Sequence, residues 1–265
     1  MSITTQNILN FQNHILSRYA NNARSFPRRK SSNGYHILIA ETMSQQTQVS
    51  RVIPKYQKFI KTLPTIHDLA NTNKHTVLSL RSGLGYNNRA IRLQKSAQII
   101  CQSHHGEIPD DEKILLTLPG IWPYTAHALL AFLYHHEVPV LDINIKRVLI
   151  YSLSLPSNIS DKKLRNIAIA CIPPWKSNER HNALMDYGAL ILTGKKTGIK
   201  SAPQSTFQGS KRRVRWSILK ELVNSQTVTI NTMKLKYPHK QFKEILQWMI
   251  KDQLIMIKDN TIHIK

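Results

Sequence analysis

Apolar residues recur every three or four positions through most of the first 192 residues, which is the spacing of amphipathic α-helices. In the first segment, for example, Ile8, Phe11 and Ile15 fall on one helical face. The pattern predicts helices over residues 6–20, 35–49, 54–63, 65–72, 74–81, 86–102, 110–116, 123–135, 142–153, 160–170 and 178–192. The polar, basic residues 21–33 are broken by a proline and are expected to form a loop. Many helices with short connections predict a compact, mostly α-helical body.

The pattern changes after Leu192. Residues 193–209 are rich in glycine and lysine and lack acidic residues, so they are predicted to form a linker. Helical spacing returns over residues 211–224, 230–237 and 240–252, and two β-rich runs follow at 254–258 and 261–265. Between these runs, Asp259 and Asn260 are typical of a two-residue hairpin turn. Three helices and a terminal hairpin predict a small winged-helix-like module.

The composition is strongly basic, with 37 lysine and arginine residues against 15 acidic ones and a formal net charge of +22. This favours a polyanionic partner, and nucleic acid before a membrane surface. A generally basic proteome would give the same composition, so the charge alone does not identify the partner. No apolar run reaches the length of a membrane span, and the first residues show no secretion signal. The two cysteines, Cys101 and Cys171, are too few for a disulfide framework or a four-cysteine metal site.

The strongest local signal is the sequence from Leu118 to Ala126, in which a Pro-Gly turn precedes a helical run. A tight turn that opens a helix presents unpaired backbone N–H groups at the positive end of the helix dipole, which suits a phosphate. Taken alone, such a turn is more often an ordinary connection between helices. About twenty residues later, Asp142 ends an apolar run and precedes another helix, where it either caps that helix or takes part in chemistry.

These two features and three further motifs resemble the helix-hairpin-helix DNA glycosylase superfamily, and within it the MutY-type adenine DNA glycosylases. The five motifs, in chain order, are Ala40–Val49, Gly83–Tyr86 with Arg89, Leu118–Ala126, Leu141–Val148 and Met185–Ala189. They cover about residues 8 to 208 in register, which makes a chance match a poor explanation. The resemblance implies a mostly α, two-lobed helix-hairpin-helix glycosylase fold. Its expected parts are a lobe of residues 34–146, a lobe of residues 1–33 plus 147–208, and the winged-helix-like module of residues 209–265.

The resemblance also implies which residues carry out the chemistry. Glu41 matches the catalytic acid that protonates adenine at N7, which requires an apolar pocket that keeps the carboxyl protonated near neutral pH. Asp142 matches the aspartate that stabilises positive charge on the sugar, and Asn144 supports it. Tyr124 stands where strand-cleaving relatives carry a lysine, so a glycosylase without lyase activity is implied. A surface glutamate and a helix-capping aspartate are the ordinary alternatives for Glu41 and Asp142.

The same resemblance places further residues at the DNA. Gln46 and Tyr86 match residues that fill the duplex after the target base has left its stack, although simple packing would explain Tyr86 nearly as well. Other positions that match DNA contacts are Gln45, Gly120, Trp122, Thr125 and Lys146. Arg29 and Asn182 match positions that contact the extruded adenine.

The chain departs from this family at four points. The places of the four cysteines that hold its [4Fe–4S] cluster carry Leu192, Ile199, Ala202 and Gln208, so we expect no cluster, no metal and a loop held by packing. Trp122 replaces a hairpin glycine. In addition, Arg28 replaces a tryptophan and Ser44 replaces a leucine. The family's domain that inspects 8-oxoguanine is not found in these residues, which leaves the base opposite the adenine open.

The resulting expectation is a monofunctional DNA glycosylase that hydrolyses the N-glycosidic bond of adenine mispaired with guanine or 8-oxoguanine. The alternatives are a mismatch thymine or uracil DNA glycosylase and a non-catalytic DNA-binding protein of the same fold. The expected partner is double-stranded DNA, with no membrane association. We expect a monomer in the cytoplasm, associated with the nucleoid if the source is prokaryotic.

Overall fold

The computed structural model describes residues 4–45, 47–81, 87–173, 176–199 and 206–265. Across these residues the chain is mostly α-helical, as predicted, with a three-stranded antiparallel sheet near the C-terminus. The helices are α1 (Thr5–Asn22), α2 (Gly34–Ser44), α3 (Val49–Thr62), α4 (Ile66–Asn71), α5 (Lys74–Arg81), α6 (Asn87–Ser103), α7 (Glu112–Thr117), α8 (Pro123–Leu133), α9 (Ile143–Ser152), α10 (Asp161–Ala170), α11 (Ser177–Leu190), α12 (Gly194–Thr197), α13 (Lys211–Ser225), α14 (Ile230–Lys236) and α15 (Phe242–Lys251). The strands are β1 (Thr227–Thr229), β2 (Ile255–Lys258) and β3 (Thr261–Ile264). Among the described helices, none combines the length and the apolar character that a membrane span requires.

Most helix boundaries agree with the predictions to within a few residues, with three corrections. Helix α2 ends at Ser44 and α3 begins only at Val49, because the polar sequence between them offers no apolar face to bury. The expected loop of residues 21–33 contains a short 3-10 helix, Pro27–Lys30, whose proline fixes φ at the first position. The expected linker contains α12, which Thr193 caps by accepting a hydrogen bond from the backbone N–H of Lys196.

The chain forms two compact units. The first contains Met1–Glu41, Pro109–Thr117 and Ile121–Pro203. Within it, α11 packs against α1, α8 and α9, and these helices bury an apolar core. Representative core residues are Phe11, Ile15, Leu129, Val148 and Leu184. The lobe boundaries expected from the resemblance stay a prediction.

The second unit contains Thr42–Ile108, Leu118–Gly120 and Gln204–Lys265. Its first part is helical, with α6 packed against α4 and α5. Its last part runs α13, β1, α14, α15, β2 and β3, and β3 lies between the other two strands. The turn between β2 and β3 has positive φ at Asp259 (48°) and Asn260 (62°), as a type I′ hairpin requires, so the predicted hairpin is confirmed.

The C-terminal part is fastened to the helices of its own unit by polar contacts. Nη2 of Arg215 in α13 lies 2.7 Å from Oδ1 of Asn88 in α6 and 2.6 Å from Oδ2 of Asp252. Nδ2 of Asn88 donates to the same Asp252 oxygen at 2.6 Å. A ring nitrogen of His75 in α5 lies 2.9 Å from the backbone oxygen of Val223. These contacts join α13 and the turn after α15 to α5 and α6.

Candidate functional site

Asp142 lies at the N-terminus of α9, in the first unit. Its Oδ1 accepts a hydrogen bond from the backbone N–H of Ile145 at 2.7 Å, and its Oδ2 accepts one from Nδ2 of Asn144 at 2.7 Å. Burial raises the pKa of Asp142, although these hydrogen bonds and the charge of Arg147 offset part of the rise. Asp142 is therefore a helix cap and also a carboxylate held in one orientation.

The segment that leads into Asp142 is fixed by a buried histidine of α11. Nε2 of His181 accepts a hydrogen bond from the backbone N–H of Val140 at 3.2 Å, and Nδ1 lies 2.6 Å from the backbone oxygen of Ser177. Burial, and then the charge of Arg180, lower the pKa of His181 to about 3. The ring is neutral at physiological pH, so this anchor holds without titrating.

Arg147 fixes Asn144 from the other side. Its Nη1 lies 3.2 Å from Oδ1 of Asn144 and donates to the backbone oxygens of Gly188 at 3.1 Å and Leu192 at 3.3 Å. Its Nε donates to the backbone oxygen of Ile199 at 2.9 Å. Leu192 and Ile199 stand at two of the expected cluster positions. The loop was expected to be held by packing, and the structure adds a buried guanidinium that joins it to α9.

Glu41 lies in α2 with 2% of its surface exposed. Its apolar neighbours in the helix are buried, as predicted, but its carboxyl group meets polar partners. Nε of Arg28 lies 2.6 Å from Oε1, and the hydroxyl of Tyr124 donates to Oε2 at 3.2 Å. The expected apolar pocket is therefore wrong at the carboxyl group, because a buried carboxylate needs a counter-charge and here has one.

Tyr124, in the first turn of α8, interacts electrostatically with the carboxyl groups of both Glu41 and Asp142. Burial, and then the charges of Glu41 and Asp142, raise the pKa of Tyr124 well above its ordinary value. The hydroxyl therefore stays protonated and acts as a donor to Glu41. Tyr124 therefore lies within electrostatic range of both Glu41 and Asp142, and the catalytic roles of these three residues stay predictions.

Arg28 is the site residue that the sequence reasoning missed. It is 4% exposed, and besides its ion pair with Glu41 its Nη2 donates to Oδ1 of Asn182 at 3.1 Å. Its guanidinium lies 4.1 Å from the centre of the Phe132 ring, a cation–π distance. The signal was an arginine at a position where the resembled family carries tryptophan. The hydrophobic periodicity could not predict that Arg28 is buried, because the surrounding sequence is polar and basic.

Arg29, the predicted contact for the extruded base, is held by Asp186 of α11. Its Nη1 and Nη2 donate to the two carboxylate oxygens at 2.8 and 2.7 Å, and Arg24 adds bonds at 2.6 and 3.0 Å. Although burial alone would raise it, the hydrogen bonds from Arg29 and Arg24 lower the pKa of Asp186. Asn182 is buried beside Arg28, and the roles of both Arg29 and Asn182 at the base stay predictions.

The hairpin that is predicted to bind phosphate contains a turn that requires glycine. Gly120 has φ +85°, and a Cβ there would lie 2.9 Å from Cβ of Arg92, so the turn needs glycine on both counts. Trp122 adopts extended dihedrals (φ −108°, ψ 166°) and is 63% exposed. Its position needs no glycine, and α8 begins directly after it, with Pro123 at the first position and Thr125 buried.

Two of the remaining predicted DNA contacts, Gln45 and Lys146, make hydrogen bonds or ion pairs within the protein, and two lie outside the described residues. The backbone oxygen of Gln45 accepts a hydrogen bond from Nη1 of Arg89 at 3.0 Å. Nζ of Lys146 lies 2.5 Å from Oδ1 of the exposed Asp161, a surface pair that a phosphate could replace at little cost. Gln46 and Tyr86 lie outside the described residues, and their roles stay predictions.

Comparison with known proteins gives a family match and named relatives. Residues 39–174 match the family described as HhH-GPD superfamily base excision DNA repair protein. The chain is 36% identical over 233 residues to the adenine DNA glycosylase of Buchnera aphidicola subsp. Baizongia pistaciae, and this alignment covers 87% of this chain and 62% of that protein. It is 32% identical over 235 residues to the adenine DNA glycosylase of Mycolicibacterium smegmatis, with 80% of each chain covered.

A solved structure supports the same fold. The structure of a thermostable thymine-DNA glycosylase superposes with a TM-score of 0.67 at 27% identity, covering 74% of this chain and 92% of that chain. The chain thus spans most of that structure, but less than two thirds of the Buchnera relative.

Proposed function

The chain belongs to the HhH-GPD superfamily of base excision DNA repair proteins and, within it, to the adenine DNA glycosylases, and from this premise we propose its reaction. It hydrolyses the N-glycosidic bond of adenine mispaired with guanine or 8-oxoguanine in duplex DNA and leaves an abasic site. The observation that carries the proposal is that Glu41, Tyr124 and Asp142 lie in one unit, where Glu41 is buried and accepts a hydrogen bond from the Tyr124 hydroxyl.

Each residue of this set has a task that suits its position. Glu41 transfers a proton to N7 of adenine, which makes the base a better leaving group. The glycosidic bond then breaks with positive, oxocarbenium-like charge on the sugar, and the Asp142 carboxylate stabilises that charge. Asn144 and the N–H of Ile145 hold the carboxylate in place during this step. Water adds to C1′, and its surplus proton returns to solvent.

Tyr124 supports hydrolysis rather than strand cleavage. A lysine at this position would form a Schiff base with the sugar, whereas a phenol has no amine to do so. Its hydroxyl instead donates to Glu41, which orients the acid. The proposed activity is therefore monofunctional.

The residues do not fit the iron–sulfur cluster of the resembled family. Leu192 and Ile199 both meet Arg147 through their backbone oxygens, Gln208 is exposed, and none of these three side chains offers a thiolate. Ala202 lies outside the described residues. Among the described residues, we find no group of three or more His, Cys, Asp or Glu side chains placed to hold a metal ion. We propose that the protein works without the cluster, which an absorption spectrum and iron analysis of the purified protein would test.

The proposed partner is double-stranded DNA, bound by a monomer in the cytoplasm or nucleoid. Support comes from the net charge of +22 and from the turn at Gly120. After this turn the exposed Trp122 directly precedes the N-terminus of α8. Backbone N–H groups at such a terminus bind phosphate without reading sequence.

One assay tests the reaction against its alternatives. Duplexes with A opposite 8-oxoguanine, A opposite G, T opposite G and U opposite G are incubated with the protein and then cleaved at abasic sites with alkali. We expect product from the two adenine duplexes. Product from T:G or U:G alone would establish the thymine or uracil alternative. The structural similarity to a thymine-DNA glycosylase is the reason to test it. Binding of all duplexes without any product would establish the non-catalytic alternative.

A further inference from the structure

The outer face of α13, in the second unit, carries cations and aromatic rings that the proposed reaction does not use. Helical spacing places Arg212, Trp216 and Lys220 on this face at intervals of four residues. Arg213 lies beside them on the helix and is exposed. Phe207, from the segment before α13, contacts the Trp216 ring and is 43% exposed. These five residues are called the α13 surface below.

The rings of the α13 surface lie between its cations. The guanidinium of Arg212 lies 5.7 Å from the centre of the Phe207 ring. That ring meets the Trp216 ring edge to face, with centroids 6.2 Å apart and an angle of 76° between the planes. Nζ of Lys220 lies 5.1 Å from the centre of the Trp216 ring. Because these are cation–π and T-shaped aromatic distances, the surface is a row of cation, ring, ring and cation whose members contact one another.

The acidic residues of this part of the chain do not neutralise the α13 surface. Glu221 is the acidic residue of α13, and its Oε1 is directed to α14 and the residue after it. This oxygen lies 2.6 Å from Nζ of Lys236 and accepts a hydrogen bond from the hydroxyl of Tyr237 at 2.9 Å. Across residues 209–265 there are 12 lysine and arginine residues against four acidic ones. The charge of the surface therefore suits a polyanionic ligand.

The aromatic rings decide which polyanion fits this surface best. A ring that reaches solvent can stack only on a base that is not already stacked between its neighbours. A duplex would therefore offer phosphates to the cations and leave the rings without a partner, and an acidic peptide would likewise satisfy only the charge. A single strand offers both phosphates and free base faces, and cations combined with exposed rings are typical of proteins that bind it.

We propose that the α13 surface binds single-stranded DNA. Phe207 and Trp216 stack against unpaired bases, and Arg212, Arg213 and Lys220 contact the phosphates. Because every base has a π-face, this binding does not depend on sequence. The proposal goes beyond the proposed function, which concerns adenine in a duplex and residues of the first unit.

The test measures binding of the intact protein to fluorescein-labelled oligothymidylate of about twelve nucleotides, a length within the usual range of single-strand sites. Anisotropy gives the affinity. We expect Trp216→Leu to weaken binding by about 5- to 100-fold, the usual effect of removing one stacking ring. Trp216→Phe keeps a ring and retains most of the affinity. The ligand also quenches tryptophan fluorescence in wild type, and the part of the quench that Trp216 contributes is missing in Trp216→Phe.

A second tryptophan provides the matched control for stacking. Trp248 of α15 is also 43% exposed, and Nζ of Lys211 lies 4.4 Å from the centre of its ring. It therefore resembles Trp216 in exposure and in its cation, but it lies outside the α13 surface. We expect Trp248→Leu to bind oligothymidylate with the wild-type affinity.

Two pairs of substitutions test the cations in the same way. Arg213→Gln combined with Lys220→Gln removes two exposed charges of the α13 surface. We expect it to lower the slope of log K against log salt by about 0.7 for each lost phosphate contact. Lys234→Gln combined with Lys258→Gln removes the same charge from exposed positions in α14 and β2 and leaves the slope unchanged.

Several results would overturn the proposal. Wild-type affinity in folded Trp216→Leu would show that the ring does not stack, and an equal loss in Trp248→Leu would show that the effect is not confined to this surface. An unchanged salt slope in the Arg213 and Lys220 pair would exclude phosphate contacts there. If Trp216→Leu does not fold, this exposed pair and its control decide the outcome.

The nature of the ligand is tested by competition. Tighter binding of oligouridylate than of oligothymidylate would point to RNA and overturn the proposal. So would displacement of oligothymidylate by polyglutamate at the same concentration of charge as unlabelled strand, because it would show a surface that responds to charge alone. An equal loss of affinity for a G:C duplex in Trp216→Leu would overturn it too, since that duplex has no unstacked bases. Oligothymidylate contains no adenine, so failure of the proposed excision would leave these results unaffected.

Discussion

Replacing Asp142 by Asn tests the central assignment with the smallest change of shape. Asparagine keeps an oxygen that can accept the backbone N–H of Ile145, and asparagine and aspartate are nearly equal as helix caps. Loss of negative charge near the N-terminus of α9 costs about 0.3–1 kcal/mol, and relief of carboxylate burial offsets part of this. We therefore expect the free energy of unfolding to change by less than about 1 kcal/mol.

The effect on the reaction is expected to be much larger. Removing one preorganised electrostatic group from an active site typically costs about 100- to 1,000-fold in rate, or about 2.7–4 kcal/mol. Asp142 belongs at the upper end, because two hydrogen bonds of 2.7 Å fix its oxygens and partial burial reduces screening by water. We expect single-turnover excision of adenine to fall by about 1,000-fold. Duplex affinity is retained, since it depends mainly on phosphate contacts.

The assay measures excision and duplex binding side by side. The matched control is Ser160→Ala, which removes the N-cap of α10 in the same unit and costs about 1 kcal/mol of stability. It excises adenine at the wild-type rate, which separates lost chemistry from a weakened helix. Excision by Asp142→Asn within about tenfold of wild type would refute the assignment. So would a parallel loss of duplex binding, because the residue would then act on affinity.

The raised pKa of Asp142 adds a pH signature. Because the carboxylate is the active form, excision falls on acidification at a higher pH than an exposed aspartate would give. The native state also holds this proton more tightly than the unfolded chain. The contribution of Asp142 to stability is therefore most favourable below its usual pKa and declines as the pH rises through the raised value.

Four further predictions follow from the contacts. Asp186→Asn breaks a largely buried ion pair, and we expect thermal or urea denaturation to show a loss of about 3–5 kcal/mol in the free energy of unfolding. Because the pKa of Asp186 is lowered, the stabilisation in wild type is present above the usual aspartate pKa and is lost as the pH falls through the lowered value. Gly188→Ala places a Cβ 2.6 Å from the backbone oxygen of Asn144, so we expect a loss of about 1–3 kcal/mol and slower excision, and wild-type rates would contradict this. Borohydride traps little or no covalent protein–DNA adduct, as expected with Tyr124 in place of a lysine, and efficient trapping would reveal another amine. Changing the exposed Lys195 and Lys196 of α12 to Ala lowers the slope of log K against log salt by about one unit for each lysine that contacts a phosphate, and an unchanged slope would show that α12 does not touch the backbone.

Elements with a strong local signal were predictable from the sequence. The amphipathic spacing located the long helices, and the Asp259-Asn260 pair located the hairpin, because both signals lie within a few residues. The elements that were missed are short. Strand β1 has three residues and α12 has four, and neither offers enough periodicity to detect. They exist because of partners far along the chain, such as Ile262 of β3 for β1.

The candidate site also contains contacts that the sequence predicted and contacts that it did not. Asp142 and its hydrogen bonds fall within a few residues, so the cap could be foreseen from Asp before a helix. The contacts of Arg28 with Asn182 and of Arg29 with Asp186 join positions more than 150 residues apart. A pattern read along the chain assigns such arginines to a solvated loop, since their neighbours in sequence are polar and basic.

Buried arginines show where reading along the chain stops being sufficient. Each must recover in specific contacts what it loses by leaving water, so its burial predicts a partner even when the sequence does not name one. Arg147 contacts backbone oxygens of α11 and of the loop after it, and Arg28 contacts the carboxyl group of the proposed catalytic acid. Local rules fail most at functional sites, where polar groups are buried for a purpose. An arginine at a position where a family resemblance predicts an aromatic residue is therefore a reason to look for the acid that it neutralises.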